Sequence, residues 1–180
     1  MTDEIPEVSF RQGFVLADFL AHNYRISGEV NVRSRPLADT LNDVTTDYIE
    51  IENVYVSPIQ NPADLKAHYQ IGSLRKDNIS KVILTREEHG MSKTTTYGSY
   101  IGYTLRPVFL TVPGFEVRGL LEVAPKINIR AFMATYAERF IPITEATATV
   151  TLNPNVRFQG GIFLVNKQHV GVFCLSEEEE

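Results

Sequence analysis

The side chains that could do chemistry are few and scattered. The chain holds four histidines and a single cysteine. His22, His68, His89 and His169 are far apart, and none has a second His or Cys at the short spacing that puts two ligands on one metal. Glu87, Glu88 and His89 bring three possible ligands together, but consecutive residues on a turn point in different directions. That run reads as a solvated turn. His169, the comparable residue further on, is flanked by Lys167 and Gln168 instead of carboxylates. Cys174 lies in the apolar run 170–175, which predicts a buried thiol behaving as a small hydrophobe. Nothing near it in sequence would lower its pKa. Ser27 precedes Gly28 outside any G-x-S-x-G elbow. The glycines at 98–102 and 160–161 match neither a dinucleotide fingerprint nor a phosphate loop with its lysine. The sequence therefore predicts no catalytic residue, no metal ligand and no cofactor, and favours a non-enzyme.

Two groups of residues remain as candidate binding surfaces. Arg33, Arg35 and Arg86 form a basic patch if the fold brings them together, although Asp39, Asp43, Glu87 and Glu88 dilute it. Tyr97, Tyr100 and Tyr103 recur every third residue in a segment rich in Thr and Gly. Tyrosines offer a large amphipathic contact area at low entropic cost, so this segment is the candidate partner-binding surface.

The elements that must position these residues show an internal pattern. Residues 24–32 resemble 115–123, with Gly28 and Gly119 in register 91 positions apart. Residues 37–41 fall on 129–133 and 48–56 on 140–148, both at an offset of 92. Residues 81–89 resemble 162–169 at an offset near 80, which implies about eleven extra residues in the first copy between 56 and 81. The first block alternates around its glycine, as a half-buried strand does. The second is a short helix opened by Pro36 or Pro125. Leu37 and Leu41 share a face in one copy and Ile129, Phe132 and Met133 in the other, with Leu41 and Met133 expected to be buried. The third block is a strand, closed by Pro58 or by Pro154. The fourth reads as a hairpin over 161–175. Outside the blocks, Phe10, Phe14, Val15, Phe19 and Leu20 suit one face of a helix over 10–23, with a strand as the alternative. Asn61 and Pro62 read as the start of a short helix reaching Tyr69.

Composition sets the outer bounds. Hydrophobic residues make up 43% and charged residues 22%, the balance of an ordinary globular chain. The formal net charge is −5, of which four charges belong to the glutamates at 177–180. That acidic run reads as a solvated tail. The remainder lacks the clustered Lys and Arg of a general nucleic-acid binder. One cysteine cannot form an internal disulfide. The acidic start MTDEIPEVSF is no secretory signal, and no apolar run reaches the ~20 residues of a membrane helix. The expected location is the cytoplasm, without a membrane partner.

Residues 25–30 (RISGEV), 35–42 (RPLADTLN) and 140–146 (FIPITEA) resemble a small bacterial β-rich domain family that has no assigned activity. The likeness covers 21 of 180 residues. It implies a bacterial β-rich domain and transfers no mechanism.

The expected fold is thus α+β and β-dominated. Two strand–short helix–strand–hairpin repeats pack as an intramolecular pseudo-dimer, because pairing two small β units covers some of their exposed edges. The expected layout is an N-terminal segment at 1–23, a first repeat at 24–104 with an insertion at 57–80, a second repeat at 105–176, and the tail. The expected function is a non-enzymatic protein-interaction or assembly module, binding a protein partner or associating with itself as a homo-oligomer. A small-ligand or nucleotide-binding regulatory domain is the alternative, and an enzyme of unknown type the second alternative.

Overall fold

In the computed structural model of the chain, residues 11–91, 102–124 and 126–176 are described. Ten strands form one antiparallel sheet among them. The first half supplies β1 (Phe14–Ala21), β2 (Tyr24–Asn31), β3 (Tyr48–Pro58), β4 (Ala67–Arg75) and β5 (Ile79–Leu84). The second supplies β6 (Thr104–Val112), β7 (Phe115–Val123), β8 (Phe140–Val150), β9 (Asn153–Asn166) and β10 (Val172–Leu175). Helix α1 (Leu37–Asn42) joins β2 to β3, α2 (Glu87–Gly90) follows β5, and α3 (Ile129–Thr135) joins β7 to β8. A single 3-10 turn precedes the last strand of each half, at Lys76–Asn78 and at Lys167–His169. The chain is thus β-dominated. Among the described residues no helix is long and apolar enough to cross a membrane.

The sheet order is β10-β6-β7-β8-β9-β5-β1-β2-β3-β4, so each half contributes five neighbouring strands and the halves meet where β9 pairs with β5. At that seam both faces are covered. Along β9, Ile162 and Leu164 enter one apolar core, while Phe163 and Val165 enter the other. Strand side chains alternate in direction, so the two cores lie on opposite faces of the seam. Leu37 and Leu41, one helical turn apart, seal the first core from α1. Phe132 from α3 enters the second.

The pairing registers correspond between the halves. Ala21 pairs with Tyr24 and Val112 with Phe115, each pair closing a two-residue turn. Gly28 and Gly119 both sit where the register slips by one residue, against β3 and β8 respectively. The extra residue of each bulge, Asn53 or Glu145, has positive φ, 50° and 47°. Glycine is required opposite it because the partner strand presses close. A Cβ on Gly28 would lie 2.4 Å from Ile51 Cγ2 and 2.7 Å from the Glu52 carbonyl oxygen. A Cβ on Gly119 would lie 2.5 Å from Ile143 Cγ2 and 2.7 Å from the Thr144 carbonyl oxygen.

Several sequence expectations are corrected. Residues 10–23, read as a helix with a strand as the alternative, contain β1, an interior strand held by β2 and β5. Its apolar residues serve two faces, Val15, Ala17 and Phe19 on one and Leu20 on the other, which a single helical stripe would not do. The helix expected from Asn61 is a turn leading into β4. The 57–80 segment is therefore mostly strand, and the 3-10 turn that follows places Lys76 at the position matching Lys167. Residues 161–175 do not form a hairpin. β9 pairs with β8 and β5, while β10 pairs with β6. Residues 81–89 and 162–169 consequently lie in neighbouring strands that pair with each other, and their likeness marks two apolar strands of the seam. In pairing, Lys81 against Leu20 is matched by Val172 against Thr111, 91 positions on in both strands. Cys174 is exposed, because β10 is an end strand. Met133 is only half-buried, and Phe132 takes the deeper position. Pro36 stands one residue before α1 at its N-cap position without a capping hydrogen bond; Pro125 lies outside the described residues, and Asn128 caps α3 by accepting from the Ala131 N–H.

Candidate functional site

The four histidines occupy four separate places. His22 sits in the β1–β2 turn with φ 51°. His68 stacks on Tyr55 with ring centroids 4.2 Å apart. His89 borders an open cleft of about 360 Å³ beside Arg35, Glu88 and Met91. His169 Nε2 lies 2.6 Å from the Asp77 carbonyl oxygen. Among the described residues no three His, Cys, Asp or Glu side chains converge as a metal site would require. Glu87, Glu88 and His89 form the single turn of α2, and Glu88 pairs with Arg86 at 3.6 Å.

The three arginines of the expected basic patch are exposed and face different surroundings. Arg35 lines the cleft with Glu88 and His89. Arg33 borders another hollow, beside Glu50 and Glu52. Arg86 belongs to the α2 turn. Each has an acidic side chain nearby. Of the tyrosines, Tyr97 and Tyr100 lie outside the described residues. Tyr103 is exposed one residue before β6.

Two lysines that the sequence shows only as part of a basic group, Lys76 and Lys81, are buried. Lys76 Nζ donates to the Asp43 carbonyl oxygen and to Thr46 Oγ1, both at 2.8 Å. Burial lowers its pKa, with the Asp43 carboxylate opposing that shift. Lys167 Nζ donates likewise to the Tyr136 carbonyl oxygen. Asp43 and Tyr136 are the C-caps of α1 and α3, so each lysine ties its 3-10 turn to a helix end. Lys81, in the seam, is fully buried. Among the described residues its Nζ has no hydrogen-bond partner, and it lies 2.9 Å from the centroid of the Phe115 ring. Burial holds its amine well below the ordinary lysine range. A neutral amine is a potential nucleophile, but neither described cleft discussed above includes Lys81 in its lining.

Several exposed apolar side chains lie at the β4 end of the sheet. Tyr69 and Ile71 of β4 are 68% and 64% exposed, and Tyr48 and Tyr55 on neighbouring β3 are exposed too. At the opposite end, Val172 and Cys174 are exposed on β10. These residues carried no motif. The available signal was a strand pattern without protection, since neither AHYQIGSLR nor VFCL contains Lys, Pro or an acid. No family model matches the chain, and neither does any curated protein or solved structure.

Proposed function

We propose that this chain is a non-enzymatic assembly module, built from two copies of one five-stranded unit packed as an intramolecular pseudo-dimer. The observation that carries the reading is the correspondence of register between the halves. It extends to the bulges at Gly28 and Gly119, the positive-φ residues Asn53 and Glu145, and the lysines of both 3-10 turns. On this reading the first unit begins with β1, at Phe14, and the second with β6, at Thr104. Two further observations favour assembly over catalysis. The described polar groups are dispersed, and the sheet ends in strands that leave apolar side chains in water. The test is native mass spectrometry of the full chain, purified from its own source without denaturation. A defined oligomer or a stoichiometric protein partner is expected. A monomer retaining a bound small molecule would favour the ligand-binding alternative instead.

A further inference from the structure

The seam inside the chain is a template for a contact outside it. At the seam β9 and β5 run antiparallel, with Lys81 opposite Val165 and Ile83 opposite Phe163. β4 holds in the first half the place that β9 holds in the second. Leu74 and Gly72 pair with Ile49 and Ile51, as Val165 and Phe163 pair with Ile141 and Ile143. β10 likewise holds the place of β5. Val172 pairs with Thr111 and Cys174 with Phe109, as Lys81 pairs with Leu20 and Ile83 with Asp18. β4 and β10 are the two ends of the sheet. The chain thus exposes, at opposite ends, counterparts of the two strands that it joins internally.

We propose that β4 of one chain pairs antiparallel with β10 of a second copy, head to tail, in the register of the internal seam. Leu74 then lies opposite Val172, Gly72 opposite Cys174, and Ile71 opposite Leu175. The proposal rests on the two-copy assembly reading and names its contact. The exposed side chains fit it. Val172 takes the place of Lys81, and Tyr24, the first residue of β2, takes that of Phe115, the first residue of β7. Tyr24 is 48% exposed and Val172 49%, so each has apolar area that the contact would cover. Ile71 gains an apolar neighbour in Leu175. Such a contact joins unlike surfaces, so it closes into a ring or continues as a filament.

The chain's one cysteine makes the register testable. In Gly72→Cys the new thiol stands opposite Cys174 of the next chain. Directly opposed Cβ atoms in an antiparallel pair are about 4.5–5.5 Å apart, within reach of a disulfide after small adjustment. Mild oxidation should give multimers on a non-reducing gel that collapse with reductant. Ser73→Cys, whose side chain points to the other face, should not. Because a Cβ at 72 meets Val54 Cγ2 at 3.2 Å, a second pair of variants guards against a folding defect. Ile71→Lys and Val172→Lys alter exposed positions, so each should keep the wild-type melt. Each should raise the concentration for half-assembly roughly tenfold or more by placing charge on the joining edge. Assembly of the wild type with no cross-link and no effect of either lysine overturns the edge contact and leaves the assembly reading standing. A wild-type chain that stays monomeric at every concentration and has no protein partner overturns both. Cross-linked dimers that persist in Gly72→Cys/Cys174→Ser mean that β4 pairs with β4, and overturn the head-to-tail contact alone.

Discussion

Replacing Lys81 by Met should make the protein more stable and remove part of its pH dependence. Lys81 pairs with Leu20 and Val165 at the seam, and its amine lies over the Phe115 ring with no hydrogen-bond partner among the described residues. Its folded pKa is well below the 10.5 of a free lysine. The unfolded chain therefore holds a proton that the folded chain has released, throughout the interval between the two pKa values. Stability then rises with pH across that interval, by up to about 1.4 kcal/mol per pH unit for one proton. It levels off above the unfolded pKa, and the penalty is greatest below the folded one. Methionine keeps the length of the apolar stem and carries no proton. Its gain should be about 1–3 kcal/mol above the unfolded pKa, the cost of burying an unpaired polar group, and should grow as pH falls below it. The assay is urea unfolding of both proteins from about pH 6 to about pH 10, reading the difference in stability. Lys76 and Tyr136 are also shifted, but they are present in both proteins and cancel in that difference. A difference independent of pH, or one that grows with pH, would refute the assignment of a neutral buried amine.

Other expectations follow from the same geometry. Gly28→Ala and Gly119→Ala should each cost about 1–3 kcal/mol in chemical denaturation, because the added methyl meets a partner-strand carbonyl. Equal stability in either variant would mean that the bulge relaxes freely. Leu41→Ala should cost about 2–5 kcal/mol and half-buried Met133→Ala distinctly less, so melts that rank them the other way would contradict the packing of α1 and α3. Exposed Glu145→Gly should raise stability by about 0.5–1 kcal/mol, since it relieves a non-glycine residue at positive φ. A loss in thermal melts would place the cost of glycine flexibility above that strain.

The β-dominated character of the chain could be read from residue types alone. Alternation around Gly28 and Gly119 was readable because a half-buried strand writes its two faces directly into the sequence. The paired leucines of α1 were readable for the same reason, at helical spacing. What local pattern could not supply was the identity of each strand's neighbour. The run 161–175 looks like a hairpin because two apolar stretches flank a polar turn, yet the second stretch crosses to β6. β1 looked helical because an interior strand buries residues on both faces and loses its simple alternation. The 81–89 and 162–169 blocks resembled each other because both supply strands to a seam covered on two sides. Burial of Lys81 and exposure of Cys174 follow from position in the sheet order, one at the centre and one at the end. A residue's type sets the cost of burying it, but strands distant in sequence decide whether it is buried. That assignment belongs to the tertiary structure.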